Sequence, residues 1–470
     1  MNPAQKAALF ERLAGLGPVE WLDGFSGIGG STFGIHLIPG QRTAMAINHW
    51  PAAVAVHQEN HPDTKHDCAD ISQVDPRRYA RTDCAWFSPS CTKHSIAQGA
   101  RMMSDTDAAE RSRATMWDVQ RFAEVHQYRF IIVENVVEVR KWWAFRGWRI
   151  ALEDTGYCLH EVFLNAAHAN ILGLAANQWR DRWFCLMHPK GTPCPDTQRW
   201  LAPMAQCSNC GHVRGRQVWK KGKGAGKYRT QYMYACPACN EVVRPYVRPA
   251  RELIDWDRPA QLIGDRKGTL ADKTMWRIEY GLRTYGASLV PVEGRDGKRP
   301  TAAAGPMRTV TTRNETGIAI PPFIAELRGG SSKSRRVTEP LSTVCASGNH
   351  HGLLIPYYSR SKARTTEQPF MTVTTVDRAG LLPDPCRGAS LTEILSMHRR
   401  KSRAWRHFVN ACGFRMLEPY EYARFQAFPD SYLWGEDTYS KRDRVKMIGN
   451  AVPPPMARDL VGCALESMAE

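Results

Sequence analysis

Between residues 19 and 190, short apolar runs alternate with longer stretches whose apolar positions recur at three- and four-residue steps. The runs at 19–25, 42–47, 84–87, 130–133 and 183–187 have the length of strands. The segment 51–60, with Val54 and His57 on one face, and the segment 107–128, with Met116, Val119, Phe122 and Ala123 in register, are spaced as helices. Strands alternating with helices predict an α/β fold with a doubly wound, mostly parallel sheet covered on both faces. After residue 189 the chain turns to Pro, Gly, Lys, Arg and Thr, with short strand-like runs as far as about residue 391. Residues 308–312, 341–344 and 370–375 each carry a Thr-Val core. They read either as copies of one small β unit between about 300 and 385 or as unrelated strands of high β propensity. Helical spacing returns at 418–427 and 454–468. Three parts are therefore expected: an α/β domain over 1–190, a β-rich region over 191–405, and a closing segment over 406–470.

A chain of 470 residues exceeds what one hydrophobic core usually organises. Its 63 Lys and Arg against 46 Asp and Glu give a formal charge of +17, with basic residues thickening at 220–273 and 333–364. Such a field attracts polyanions, so nucleic acid is the natural partner, the alternative being a merely basic surface. No apolar run approaches the ~20 residues that span a bilayer, and residues 1–17 carry Lys6, Glu11 and Arg12 among helically spaced apolar positions rather than a leader pattern. A monomer of the reducing cytoplasm, without membrane contact, is expected. The 14 cysteines are then thiols, a nucleophile and metal ligands rather than a disulfide framework.

Four of them form two C-x-x-C knuckles, Cys207/Cys210 and Cys236/Cys239, with 25 residues between. Two thiolates from each close a tetrahedral structural site, which predicts Zn2+ in a zinc ribbon over about 203–245. The intervening Lys220, Lys221, Lys223, Lys227 and Arg229 suit a basic hairpin that touches phosphate, or a solvated loop.

Candidate catalytic residues gather at the ends of the expected strands. Residues 21–30 run from a strand through Gly24, Gly27, Gly29 and Gly30 toward a helix, a turn that lets backbone approach a ligand closely without following the dinucleotide spacing. The strand at 84–87 ends in a Pro/Ser loop presenting Cys91. Glu134-Asn135-Val136 follows the strand at 130–133, where ligands of open α/β sheets gather. Gln178, Arg180 and Arg182 alternate, so an extended segment would turn all three to one side, and arginine forks suit planar acceptors.

In this order, and with residues 415–429 and 449–454 behind them, these motifs resemble those of the DNA cytosine methyltransferases that modify carbon 5. The resemblance implies a Rossmann-like methyltransferase domain over 1–190 that binds S-adenosylmethionine, and a β-rich target-recognition region; the zinc ribbon is not part of the family's shared core and reads as an accessory device within that region. Phe25, Gly27 and Gly29 would line the methionine and adenosine portions of the cofactor. Asn48 stands where the family has an acid for the ribose hydroxyls, Asp70 would receive the adenine amino group, and Pro89, Asn450 and Val452 would complete the pocket. Cys91 would attack carbon 6 of cytosine as thiolate. Glu134 would meet ring nitrogen 3. Arg180, nearest the base, would act with Arg182 and Gln178 on the carbonyl oxygen and flanking phosphates. Pro89 and Ser95 match the family's Pro-Pro-Cys-Gln loop, whereas Ser90 and Thr92 depart from it. The implied substrate is double-stranded DNA with the target base flipped out. Two other readings stay open: an RNA substrate, since one branch of the family methylates transfer RNA, and a non-catalytic zinc-ribbon DNA-binding protein on a scaffold that has lost its chemistry.

Overall fold

The structure, a computed structural model, describes residues 3–90, 114–222, 224–248 and 413–470, and short segments between 252 and 410. By its internal contacts the chain divides into two compact units, one of residues 1–248, 308–313 and 422–470, the other of 249–307 and 314–421.

The first unit is built on seven strands: β1 Val19–Gly24, β2 Gln41–Ile47, β3 Lys65–Asp67, β4 Cys84–Phe87, β5 Phe130–Asn135, β6 Tyr157–Asn165 and β7 Asp181–Pro189. Their order across the sheet is β3-β2-β1-β4-β5-β7-β6. The first five are parallel, and β7 runs antiparallel to both β5 and β6. The sheet is thus mostly parallel, as the alternation of strands and helices predicts. Successive residues of β1, β4 and β5 face opposite sides. Leu22, Phe87, Ile131 and Val133 join one buried cluster with Met116, Phe122, Trp148 and Trp183. Trp21, Trp86, Phe130 and Ile132 join the other with Ile35, Phe184, Met456 and Leu460. Helices α4 Met116–His126 and α5 Phe145–Asp154 therefore cover the first face. The opposite face is covered by α2 Gly30–His36 and α7 Pro454–Met468.

Helix α7 fills a position in the N-terminal sheet domain although it comes from the far end of the chain. Fourteen of its fifteen residues are buried. It reaches α2 through two glycines one turn apart: a Cβ on Gly30 would stand 2.1 Å from the Val452 carbonyl oxygen, and one on Gly34 would stand 2.5 Å from that of Pro454.

The ribbon belongs to this same unit. Met204–Cys207, Gly211–Arg214, Arg216–Trp219, Tyr232–Ala235 and Val242–Pro245 form a five-stranded antiparallel arrangement. In the second unit, Gln261–Leu262, Gly413–Met416, Thr316–Ile320, Ser288–Pro291 and Thr301–Ala302 form an antiparallel sheet, and Gly352–Pro356 pairs with Ala379–Pro383. Arg415 of that sheet holds buried Glu421 through two bonds of 2.7 and 2.8 Å and the Asp255 carbonyl through a third, so one guanidinium ties three segments together. Most of the Thr-Val cores, at 309–312, 341–344 and 370–375, lie outside the described residues. Among the described residues no helix is long and apolar enough to cross a membrane.

Candidate active site

Parallel register brings the carboxyl ends of β1, β4 and β5 to one level, Gly24 beside Phe87 and Phe87 beside Val133. The chain leaves β1 through three left-handed residues in five, Phe25 (φ 61°), Gly27 (φ 56°) and Gly29 (φ 92°). The Ser26 N–H donates to the Ile47 carbonyl at 3.1 Å, which pins the turn to β2. Gly24 has no room for a side chain, since a Cβ would meet the Phe87 ring at 2.4 Å. Among the described residues nothing lies within 4 Å of a Cβ on Gly27, so the turn presents bare backbone, as a closely bound cofactor requires. Behind it, buried Asp23 accepts hydrogen bonds from Ser31 Oγ at 2.5 Å and Thr32 Oγ1 at 2.8 Å. Burial pushes its carboxyl up to about 7 against those bonds.

A cluster of imidazoles that the sequence reading did not single out supports this turn. His57 Nε2 lies 3.0 Å from Thr32 Oγ1, and its Nδ1 lies 2.7 Å from His66 Nε2. His61 packs on Gly29 and meets the Tyr432 hydroxyl, which donates to the Ile28 carbonyl. Desolvation lowers His57 well below the ordinary range and His61 to about 3, so both are neutral. His57, in the helix α3 Pro51–Asn60, and His61, just past its end, stand four residues apart, which is the only trace the sequence offers of this support.

The remaining expected cofactor residues are placed as follows. Asn48 is half-buried after β2, with its Oδ1 taking the Trp50 N–H at 2.9 Å. Asp70 is exposed and accepts the Ser72 N–H at 3.1 Å. Asn450 is exposed at the end of α6 Lys441–Asn450, while Val452 is buried with its backbone against Gly30.

At the carboxyl end of β4, the Ser88 N–H donates to the Gly24 carbonyl at 3.0 Å and buried Pro89 offers its carbonyl to Asn135 Nδ2 at 3.2 Å. The Ser90 N–H reaches Thr115 Oγ1 at 3.2 Å. Cys91, Thr92 and Ser95 lie outside the described residues. Glu134 lies within β5, paired with Phe184, rather than after the strand. Its carboxylate Oε1 stands 2.7 Å from Arg182 Nε, and the two side chains are 9% and 11% exposed.

Gln178, Arg180 and Arg182 do not form one uninterrupted strand. A short piece, Gln178–Trp179, ends before Arg180, and β7 begins at Asp181. The arginines consequently part company. Arg182 pairs with Glu134, whereas buried Arg180 donates to the carbonyls of Gly449 and Ala451, each at 3.0 Å, and holds the segment that leads to Val452. Gln178 is fully buried.

In the ribbon, the sulfurs of Cys207, Cys210, Cys236 and Cys239 all lie within 4.8 Å of one another, the Cys207–Cys239 pair at 3.5 Å. Tetrahedral zinc with bonds of about 2.3 Å separates sulfurs by roughly 3.8 Å, so the four fit that ion. Each knuckle is followed by a left-handed residue, Gly211 (φ 76°) or Asn240 (φ 63°), which turns the chain back after its second ligand. Backbone N–H groups, first that of Cys239, draw the Cys236 thiol down to about 7. The hairpin between the knuckles touches both the segment that follows Glu134 and the start of β7, which carries Arg182. Lys227 pairs with Glu138 at 2.6 Å, the Tyr228 N–H donates to Asp181 Oδ1 at 3.0 Å, and the Arg229 guanidinium lies 5.0 Å from the Trp179 ring centre.

The family model for C-5 cytosine-specific DNA methylases matches residues 19–206 and 326–464. No curated protein matches by sequence. Among solved structures, S. pombe Dnmt2 methyltransferase is similar with a TM-score of 0.51 at 15% identity, over 96% of this chain and 99% of that one. An E. coli protein encoded within prophage Cp and assigned as a DNA modification methyltransferase covers 96% and 100% at 14% identity and a TM-score of 0.46. Spodoptera frugiperda DNMT2 covers 95% and 99% at 12% identity and 0.49. The first of these likenesses extends to the fold, and the family model takes in both the strands that carry the glycine turn and Glu134 and the distant helix that closes over them: the chain belongs to the C-5 cytosine-specific DNA methylase family.

Proposed function

We propose that the protein transfers a methyl group from S-adenosylmethionine to carbon 5 of cytosine in double-stranded DNA, with Cys91 as nucleophile. The observation that carries this reading is the enclosed Glu134–Arg182 pair, set one residue from the Asn135–Pro89 bond that holds the start of the Cys91 loop against β5. The cofactor supplies an electrophilic methyl on its sulfonium. The Gly27 turn offers it backbone, Asn48 and Asp70 its ribose and adenine contacts, and Asn450 and Val452 the far wall.

The target base must leave the stack before its carbon 6 is accessible. Cys91 forms a bond to carbon 6, and ring nitrogen 3 takes a proton or hydrogen bond from Glu134, whose carboxyl Arg182 orients. Electron density delivered to carbon 5 accepts the methyl, the proton on carbon 5 departs to a base, and the bond from Cys91 to carbon 6 breaks. Arg180 acts in this scheme by fixing residues 449–451. Residues 1–190 would carry cofactor and chemistry, 191–405 target recognition, and 406–470 the segments that complete both. The +17 charge supports a nucleic-acid substrate.

The test is transfer of labelled methyl from S-adenosylmethionine to duplex DNA and, separately, to transfer RNA, followed by bisulfite sequencing. Label in duplex cytosine is expected. Label in RNA alone would overturn the substrate assignment, and undiminished transfer by Cys91→Ser would overturn the mechanism.

A further inference from the structure

The edge of the central sheet holds a second group of metal-ligating side chains, away from the ribbon and from Glu134. His160 of β6 and His188 of β7 bring their Nε2 atoms to 3.0 Å, and Cys194, in the loop after β7, places its sulfur so that all three ligand atoms lie within 4.8 Å of one another. Cys158 stands directly across the ladder from His188, two residues before His160 and therefore on the same face. The sequence pattern is Cys-x-His on one strand and His-x5-Cys on the next strand and its loop.

The hydrogen bonds around His188 fix its tautomer. Thr192 Oγ1 donates to the Pro189 carbonyl at 2.8 Å, so its proton is spent. His188 Nδ1 faces that oxygen at 2.8 Å and the Pro189 carbonyl at 3.2 Å, both acceptors, and must carry the hydrogen. A neutral ring then leaves Nε2 bare and aimed at His160, the arrangement that outer partners impose on metal-binding imidazoles.

We propose that His160, His188 and Cys194 bind a second zinc-type divalent cation, with Cys158 the nearest donor for its fourth position. Zinc–nitrogen bonds of about 2.0–2.1 Å in tetrahedral geometry would set the two nitrogens roughly 3.3 Å apart, a few tenths of an ångström from the present spacing. The site is structural. His188 lies level with the start of β5, beside the Phe130 ring, while Glu134 lies four residues on, about 13 Å along the strand. A cation there would fasten the exposed loop that leads from the sheet into the ribbon.

The test is a metal count. Full-length protein is equilibrated with zinc, dialysed against metal-free buffer, and bound zinc is counted by mass spectrometry. Cobalt substitution provides a spectrum for each site. Wild type should hold two equivalents, and both Cys194→Ala and His160→Gln should hold one, retaining the all-thiolate cobalt spectrum of the ribbon. Cys194 is exposed, so its replacement leaves the core intact. One equivalent in wild type, unchanged in Cys194→Ala, would reduce the pair to two imidazoles sharing a proton. Two equivalents in all three proteins would place the second ion elsewhere. Either result overturns the proposal, and neither bears on methyl transfer.

Discussion

Replacing Gly30 by alanine tests the account of how the two ends of the chain build one cofactor site. The new Cβ would stand 2.1 Å from the Val452 carbonyl oxygen and 3.1 Å from the Val452 nitrogen. Relief to ordinary contact demands that backbone retreat by more than 1 Å. A backbone segment cannot rotate aside as a long side chain can. Overpacking of this kind costs about 1–3 kcal/mol, and the severity of this contact favours the upper end. Gly30 is the first residue of α2, so the gain from alanine over glycine is at most the about 1 kcal/mol of a helix interior and offsets only part of it. We expect a net loss of about 2 kcal/mol, read as a lowered urea midpoint at unchanged slope. Gly27→Ala is the control, because its Cβ meets nothing within 4 Å among the described residues and costs the left-handed strain of about 1–2 kcal/mol. Cofactor affinity, measured by calorimetry, should fall in both, and Gly30→Ala should lose at least as much stability as the control. A Gly30→Ala protein as stable as wild type would refute the packing of Val452 on the glycine turn.

Arg180→Ala should destabilise by about 3 kcal/mol in the same assay, since it strands two buried carbonyls that a charged donor now satisfies. The imidazoles give a pH signature. His61 titrates near 3 when folded and His57 well below its ordinary value, so their stabilisation is complete above pH 6.5 and is lost as pH falls. Asp23, raised to about 7, works in the opposite sense, contributing at low pH and losing its contribution as pH rises through 7. Between pH 7.5 and 5.5, Asp23→Asn should therefore lose about 2 kcal/mol more than wild type by urea unfolding, the other titrating groups being common to both proteins. Stripping zinc from the ribbon should depress methyl transfer along with nucleic-acid binding, because Lys227 and Tyr228 would lose Glu138 and Asp181; a chelated enzyme with unchanged turnover would count against that coupling.

The central sheet was legible because its core strands are short, continuous apolar runs covered on both faces, and the observed β1, β2, β4, β5 and β7 fall where the runs at 19–25, 42–47, 84–87, 130–133 and 183–187 place them. Strand β6 was not, since Cys158, His160 and Glu161 interrupt its apolar pattern at an edge that is only partly buried. Cysteine spacing disclosed the ribbon, while its docking on Glu138 and Asp181 depends on tertiary contacts no spacing encodes. The alternation of Arg180 and Arg182 suggested a shared direction, and the break in the strand at Arg180 gave each its own partner. Gly30 reads in the sequence only as the end of the glycine-rich turn, and its lack of a side chain serves the approach of Val452 from more than four hundred residues away.

The chemistry is tested most directly by incubating the protein and S-adenosylmethionine with duplex DNA carrying 5-fluorocytosine, whose carbon 5 has no proton to release. Wild type should form an adduct that survives denaturing electrophoresis, and Cys91→Ser should form none. An adduct with Cys91→Ser, or methylated DNA from a wild-type protein that traps nothing, would contradict a covalent mechanism through that sulfur.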